Sequence, residues 1–149
     1  MKNFTAVALL FAFLAGPFAL NAIANTNTNT TSVHQLADKY QFDNLEVVKR
    51  FSNWSIDGWS AVDQQSLIVR TSPSTAYLLV LSRRLHDLRF SEAIAISSTG
   101  NLVYAKFDTV TVKNHHFGGI GSVPVRIAKI YKLKGKEERE LVRRQIRDT

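Results

Sequence analysis

The sequence contains no cysteine. That absence excludes disulfide staples, thiol catalysis, thiolate zinc sites and a lipidated cysteine at a processing junction. The fold must therefore hold by its apolar core alone. Beyond the first 24 residues no apolar run is long enough to span a bilayer, which takes about 20 mostly apolar residues. The chain also has no G-x-S-x-G nucleophile elbow and no Gly-rich loop followed by Lys-Ser/Thr, so it carries neither signature of an α/β-hydrolase nor of a P-loop nucleotide site.

What is present begins with an address. Lys2 gives residues 1–24 a positive start, Ala6 to Leu14 form a short apolar core, and Gly16-Pro17 ends it. Ala22-Ile23-Ala24 is an A-x-A cleavage site, which completes a secretory signal peptide cut after Ala24. The rival reading, a membrane anchor, is disfavoured because the uninterrupted apolar run is about half of what a spanning helix needs. With no cysteine at the junction, the expected product is free in the lumen it is exported to and not lipid-anchored, with no transmembrane segment; the leader alone does not separate a bacterial periplasm from a eukaryotic secretory route.

Cleavage leaves about 125 residues, enough for one domain with a proper core. The chain has 19 Lys and Arg against 12 Asp and Glu, a net charge of +7, and the leader removes only Lys2 from that balance. A basic exported protein meets anionic lipid, lipopolysaccharide and polyanionic wall polymers, although a charge of this size also serves solubility alone. Asn29-Thr30-Thr31 and Asn53-Trp54-Ser55 match glycosylation sequons, which matter only for a eukaryotic secretory route.

Asn25 to Ser32 is polar and of low complexity, a disordered spacer by composition. Val33, Leu36, Ala37 and Tyr40 fall on one helical face, with Thr31 or Ser32 as the cap. From Leu45 the period becomes that of strands. The apolar runs are Leu45–Phe51, Trp54–Val62, Leu67–Thr71, Ala76–Leu81, Ala93–Ile96, Leu102–Phe107, Thr109–Val112 and Val123–Leu133. Ala76–Leu81 is apolar on both faces and predicts a central strand. Ser97-Ser98-Thr99-Gly100-Asn101 predicts a hairpin joining the runs on either side. In the last run Val125, Ile127, Tyr131 and Leu133 share a face that Lys129 interrupts, which predicts a bulge or a snorkelling side chain. Many short strands without alternating long helices imply a mainly β fold, a small antiparallel sandwich or barrel spanning residues 33–133. Residues 134–149 mix six basic and four acidic residues around Leu141, Val142 and Ile146. This predicts a solvated, salt-bridged helix, with a membrane-surface helix as the sharper alternative.

One pattern is distributed along these strands: Trp59, Asp63 and Leu67-Ile68-Val69, then Tyr77-Leu78 and Leu81, then Asp87-Leu88-Arg89-Phe90 and Phe107-Asp108. It resembles DUF6491, a family of small exported proteobacterial proteins of unknown function. The resemblance covers about 90 residues and implies a Gram-negative source and a periplasmic address. It carries no reaction, cofactor or catalytic residue. It also implies a Cys pair around the segments that are Leu85–Asp87 and Val125–Ile127 here, and since this chain has no cysteine, no disulfide or thiol role transfers. The residues themselves have a structural reading: Trp59, Leu67, Val69, Tyr77 and Leu81 suit a β core, and Asp63 and Asp108 suit turns where a carboxylate accepts backbone N–H groups.

The chemical constellations are weak. His115-His116 would point to opposite faces of a strand, and only His34 and His86 remain as further histidines, so no metal site is expected. Gly118-Gly119-Ile120-Gly121 leads into Val123-Pro124, a strand start, and reads as a turn. Ser, His and Asp are all present, but a triad is recognised by geometry alone. The densest cluster is Arg83, Arg84, His86 and Arg89, following the most apolar strand. Guanidiniums suit bidentate contact with phosphate or carboxylate, so these four residues are the candidate binding site for an anionic envelope component. Export and the lack of aromatics interleaved with the basic residues disfavour nucleic acid. The sequence thus points to a non-enzymatic binding or interaction module of the cell envelope, with no catalytic residue, metal or cofactor. The alternative is a small envelope hydrolase whose site assembles only in three dimensions.

Overall fold

A computed structural model describes residues 36–113 and 122–148. The leader, the spacer, His34, His115, His116 and the glycine run lie outside the described residues, as does the start of the helix expected from Val33. The described part of that helix holds a single 3-10 turn, Asp38–Tyr40. No side chain caps it, and buried Tyr40 pins it to the core.

The strands are β1 (Glu46–Val48), β2 (Arg50–Ser52), β3 (Gly58–Ala61), β4 (Ser66–Arg70), β5 (Thr75–Leu81), β6 (Ala93–Ile96), β7 (Leu102–Tyr104), β8 (Thr109–Lys113) and β9 (Val125–Lys134), followed by helix α1 (Gly135–Asp148). A 3-10 turn, His86–Phe90, precedes β6. The main sheet runs β3-β4-β5-β9-β8-β6, with β1 also paired to β9, and β2 pairs β7 as a separate ribbon. Every pairing is antiparallel. The order has two ends, β3 and β6, so the result is sandwich-like and not a closed barrel.

Two strand assignments differ from the pattern in the sequence. The run Leu45–Phe51 is two strands broken at Lys49: β1 joins β9, while β2 leaves the main sheet to pair β7. The expected hairpin between Ala93–Ile96 and Leu102–Phe107 does not form. The Ser97–Asn101 segment does turn, closed by the Thr99–Leu102 bridge, but β6 pairs β8 and β7 pairs β2. Turn residues set where the chain reverses; burial of alternate side chains sets which strand it then meets.

The interruption at Lys129 is a bulge. Val80 pairs Lys129 while Leu81 pairs Ile127, leaving Ala128 as the extra residue in β9. A bulge inverts side-chain parity along the strand. Val125, Ile127 and Ile130 therefore enter one core cluster, and Tyr131 and Leu133 enter the other. This corrects the single shared face that the sequence pattern assigned to Val125, Ile127, Tyr131 and Leu133.

Strands β4, β5 and β9 feed both clusters, which is why Ala76–Leu81 is apolar on both faces. The first cluster is closed by β2, β7, β8 and the His86–Phe90 turn, through Phe51, Val103, Val110, Val112 and Leu88. The second is closed by the N-terminal segment and α1, through Tyr40, Phe42, Val142 and Ile146. Gly135, at φ +73, makes the sharp strand-to-helix turn that a Cβ would strain. Val142 and Ile146 stand one helical turn apart and are buried. Full burial of one such side chain stabilises by roughly 1.5–3 kcal/mol. The apolar stripe of α1 is therefore spent on the core, which corrects the membrane-surface alternative. Among the described residues no helix is long and apolar enough to cross a membrane.

Candidate functional site

Three backbone irregularities meet on the side of β9 that faces β1 and β7. The first is the break at Lys49, whose carbonyl accepts the Ala105 N–H at 2.9 Å. The second is the turn Tyr104–Asp108, closed by the Asp108 N–H on the Tyr104 carbonyl at 3.1 Å and by the Tyr104 N–H on the Asp108 carboxylate at 2.7 Å. Within it Lys106 adopts φ +70, a left-handed conformation that costs a non-glycine residue free energy and persists where surroundings impose it. Here the Lys106 N–H is held on the Ile127 carbonyl at 2.6 Å. The third is the Ala128 bulge.

Between them lies a groove of about 820 Å³. Val47, Val48, Ala105, Phe107, Ala128 and Ile130 supply its apolar lining, and Lys49, Arg50, Lys106 and Lys129 its charge. No carboxylate lines it. None of these four cations has an ion-pair partner among the described residues; the pairs found there are Lys39–Asp63, Arg70–Asp57 and Lys134–Glu46. Lys129 sits over the Tyr131 ring at 4.7 Å, and Arg50 over the Tyr104 ring at 5.8 Å. Phe107 is 80% exposed and Val47 54%. Large apolar side chains left in water beside a cavity mark a contact surface better than isolated ones do.

The residues singled out by sequence lie elsewhere. Arg83, Arg84, His86 and Arg89 are all exposed, on the loop after β5 and on the His86–Phe90 turn. Leu85 and Leu88 anchor that segment in the first core cluster and so face its charges outward. Arg89 borders a small polar cleft with Trp59 and Glu92; the other three line no described cavity. Trp59, expected in the core, is half-buried at its margin, because β3 ends the sheet. His86 is the one histidine among the described residues, and no group of three His, Cys, Asp or Glu converges there on a point.

Asp63 is a carboxylate held by four donors. Its Oδ1 accepts from the Gln65 N–H at 2.9 Å and the Ser66 hydroxyl at 2.7 Å; its Oδ2 accepts from the Tyr40 hydroxyl at 2.6 Å and Lys39 Nζ at 2.9 Å. Burial alone would raise its pKa, but these four donors outweigh it and hold the carboxyl below its ordinary value. Both oxygens are occupied by structural partners, so Asp63 is a joint between the N-terminal segment and the β3–β4 turn, with no lone pair set aside for acid–base work. Asp108 plays the same part for β7, taking the Ser97 hydroxyl at 2.6 Å as well as the Tyr104 N–H. Both therefore fill the turn roles their positions predict.

Sequence reasoning missed the groove because its walls come from three stretches far apart in the chain. The one local signal was Lys129 interrupting an apolar face.

The model of DUF6491, a family of unknown function, matches residues 3–149, and the chain belongs to that family. No curated protein matches the chain. No solved structure matches it.

Proposed function

We propose that the protein is an exported, non-enzymatic binding module of the periplasm, and that its ligand is an anionic amphiphile of the cell envelope. The observation that carries this reading is the groove between β1, β7 and β9. An apolar trough of this volume is of the size that encloses small molecules, and it suits an acyl chain. Four cations at its walls, with no carboxylate among them, suit a phosphate or carboxylate at the end of that chain. The leader ending at Ala24 supports the address. Among the described residues the Arg83–Arg89 segment borders only the small polar cleft at Arg89, so it is the weaker candidate and serves as a comparison patch.

Titration with palmitate and with palmitoyl-lysophosphatidylglycerol, each below its micelle concentration, tests the reading. Saturable binding is expected for both, weakening with salt because exposed charges are screened within about 8 Å at physiological ionic strength. Ala105→Trp should fill the groove and abolish binding with the fold intact. Replacing Lys49, Lys106 and Lys129 with Gln should weaken binding about tenfold, whereas replacing Arg83, Arg84 and Arg89 should leave it unchanged. Absence of saturable binding, or wild-type binding by the groove-filled variant, would sink the proposal.

A further inference from the structure

A second cavity is built at the far edge of the main sheet, where side chains of α1 reach the edge strand β3 and its neighbour β4. It measures about 350 Å³ and brings together Trp59, Ser60, Arg70, Lys136, Arg139 and Arg143, with Glu140 as its single carboxylate. We infer that this cleft is a distinct binding site for a phosphorylated saccharide, independent of the groove.

The guanidiniums are pre-positioned. Arg143 Nη2 donates to the Ser60 hydroxyl at 2.6 Å, and Arg139 Nη1 donates to the Pro73 carbonyl at 3.2 Å. Arg70 Nη2 lies 3.1 Å from the Asp57 carboxylate. Gly58 makes room for it, since a Cβ there would stand 3.3 Å from Arg70 Nη2. An arginine carries five N–H donors in a rigid fork, so one hydrogen bond fixes each group and leaves donors for a ligand. Among the described residues neither Arg139, Arg143 nor Lys136 pairs with a carboxylate. Docking of α1 does not need this concentration of charge, because Val142 and Ile146 already bury its apolar face. Like charges gathered in a partly desolvated cleft repel one another, and a multiply charged anion held by several forks offsets that cost. Phosphate meets this demand with three acceptor oxygens. The half-buried Trp59 indole adds a flat apolar wall, on which the C–H face of a sugar ring can lie.

The test is titration of the full chain with glucosamine 1-phosphate, following the Trp59 indole N–H resonance, with glucosamine and inorganic phosphate as comparison ligands. The expected result is saturable binding of glucosamine 1-phosphate, tighter than inorganic phosphate and absent for glucosamine. An Arg139→Gln/Arg143→Gln variant should bind at least about tenfold more weakly, since one charge-assisted hydrogen bond to a ligand is worth a factor of that order. Arg70→Gln, at the exposed end of the cleft, should weaken binding too, and it serves if the double variant melts early. Ala105→Trp, which fills the groove, should leave this binding unchanged. No saturable binding by the wild type, or undiminished binding by both arginine variants, overturns the site. Equal binding of inorganic phosphate overturns the saccharide assignment.

Discussion

Asp63 shows how a single side chain can tie together parts of the chain that its sequence neighbours do not reveal. Its place between two strands marks it as a turn carboxylate, and the Gln65 N–H and Ser66 hydroxyl confirm that local role. Its bonds to Lys39 and Tyr40 reach back more than twenty residues, and no local pattern encodes them. Asp63→Ala would strand the buried Ser66 hydroxyl and the Tyr40 hydroxyl together, with an expected loss of about 2–4 kcal/mol in denaturant melts. The pH dependence follows from the two shifts. The Asp63 carboxyl is held below its unfolded value of 3.8, so its contribution is complete above that value and is lost as the pH falls through the folded pKa. Burial first, and then the bond and charge of Asp63, push the Tyr40 hydroxyl well above its ordinary 10.0. That contribution is complete below pH 10 and is lost as the pH rises beyond it. Stability should therefore decline at both extremes, and Asp63→Asn should flatten the acid side. An unaltered acid decline in Asp63→Asn would assign it to another carboxylate.

Among the elements, β9 was the most legible and the most consequential. The interruption at Lys129 is visible in the sequence, but which residue is extra, and which faces result, depends on its partner β5. The bulge lets one strand serve two cores: Ile130 faces the first and Tyr131 the second. Deleting Ala128 would restore plain alternation and exchange the faces of everything on one side of it. If the pairing from Ile130 to Lys134 moved, Tyr131 would lose its bond to the Tyr40 carbonyl at 2.8 Å and its edge-on packing against Phe42 at 5.2 Å. The deletion variant is expected to lose cooperative thermal unfolding altogether, because a one-residue slip turns a whole strand's apolar set outward. A sharp transition near the wild-type temperature would mean that the neighbouring strands accept either register. The misread hairpin after β6 has the complementary cause. Ser97–Asn101 has the composition of a turn and does turn, but β7 finds its partner in β2, where Phe51 and Val103 are both buried in the first cluster. Composition reports reversals, while partners are chosen by burial across long sequence distances.

For the chain as a whole, the two cavities divide the positive charge by chemistry. One sets cations around an apolar trough between β1, β9 and the β2–β7 ribbon, and the other sets arginines around a polar cleft between β3, β4 and α1. A net charge of +7 explains neither arrangement, since solubility requires only that charge be spread. What such sites meet is decided by the address. In the cytoplasm, arginine clefts compete for abundant nucleotides and nucleic acid; outside the inner membrane, the abundant anions are headgroups and saccharides of the envelope. The proposed leader therefore carries much of the functional reading, and its processing has a direct measurement. Intact-mass analysis of protein recovered from the periplasm should place Asn25 at the N-terminus, matching cleavage after Ala24. Ala24→Tyr should block cleavage, because the position before the cut admits only small side chains, and the uncut chain should stay with the membrane fraction. Wild-type protein found unprocessed in the cytoplasm would remove the envelope as the source of the ligand. It would leave the groove and the cleft as binding sites with cytoplasmic anions as their candidates, which the two titrations would then decide.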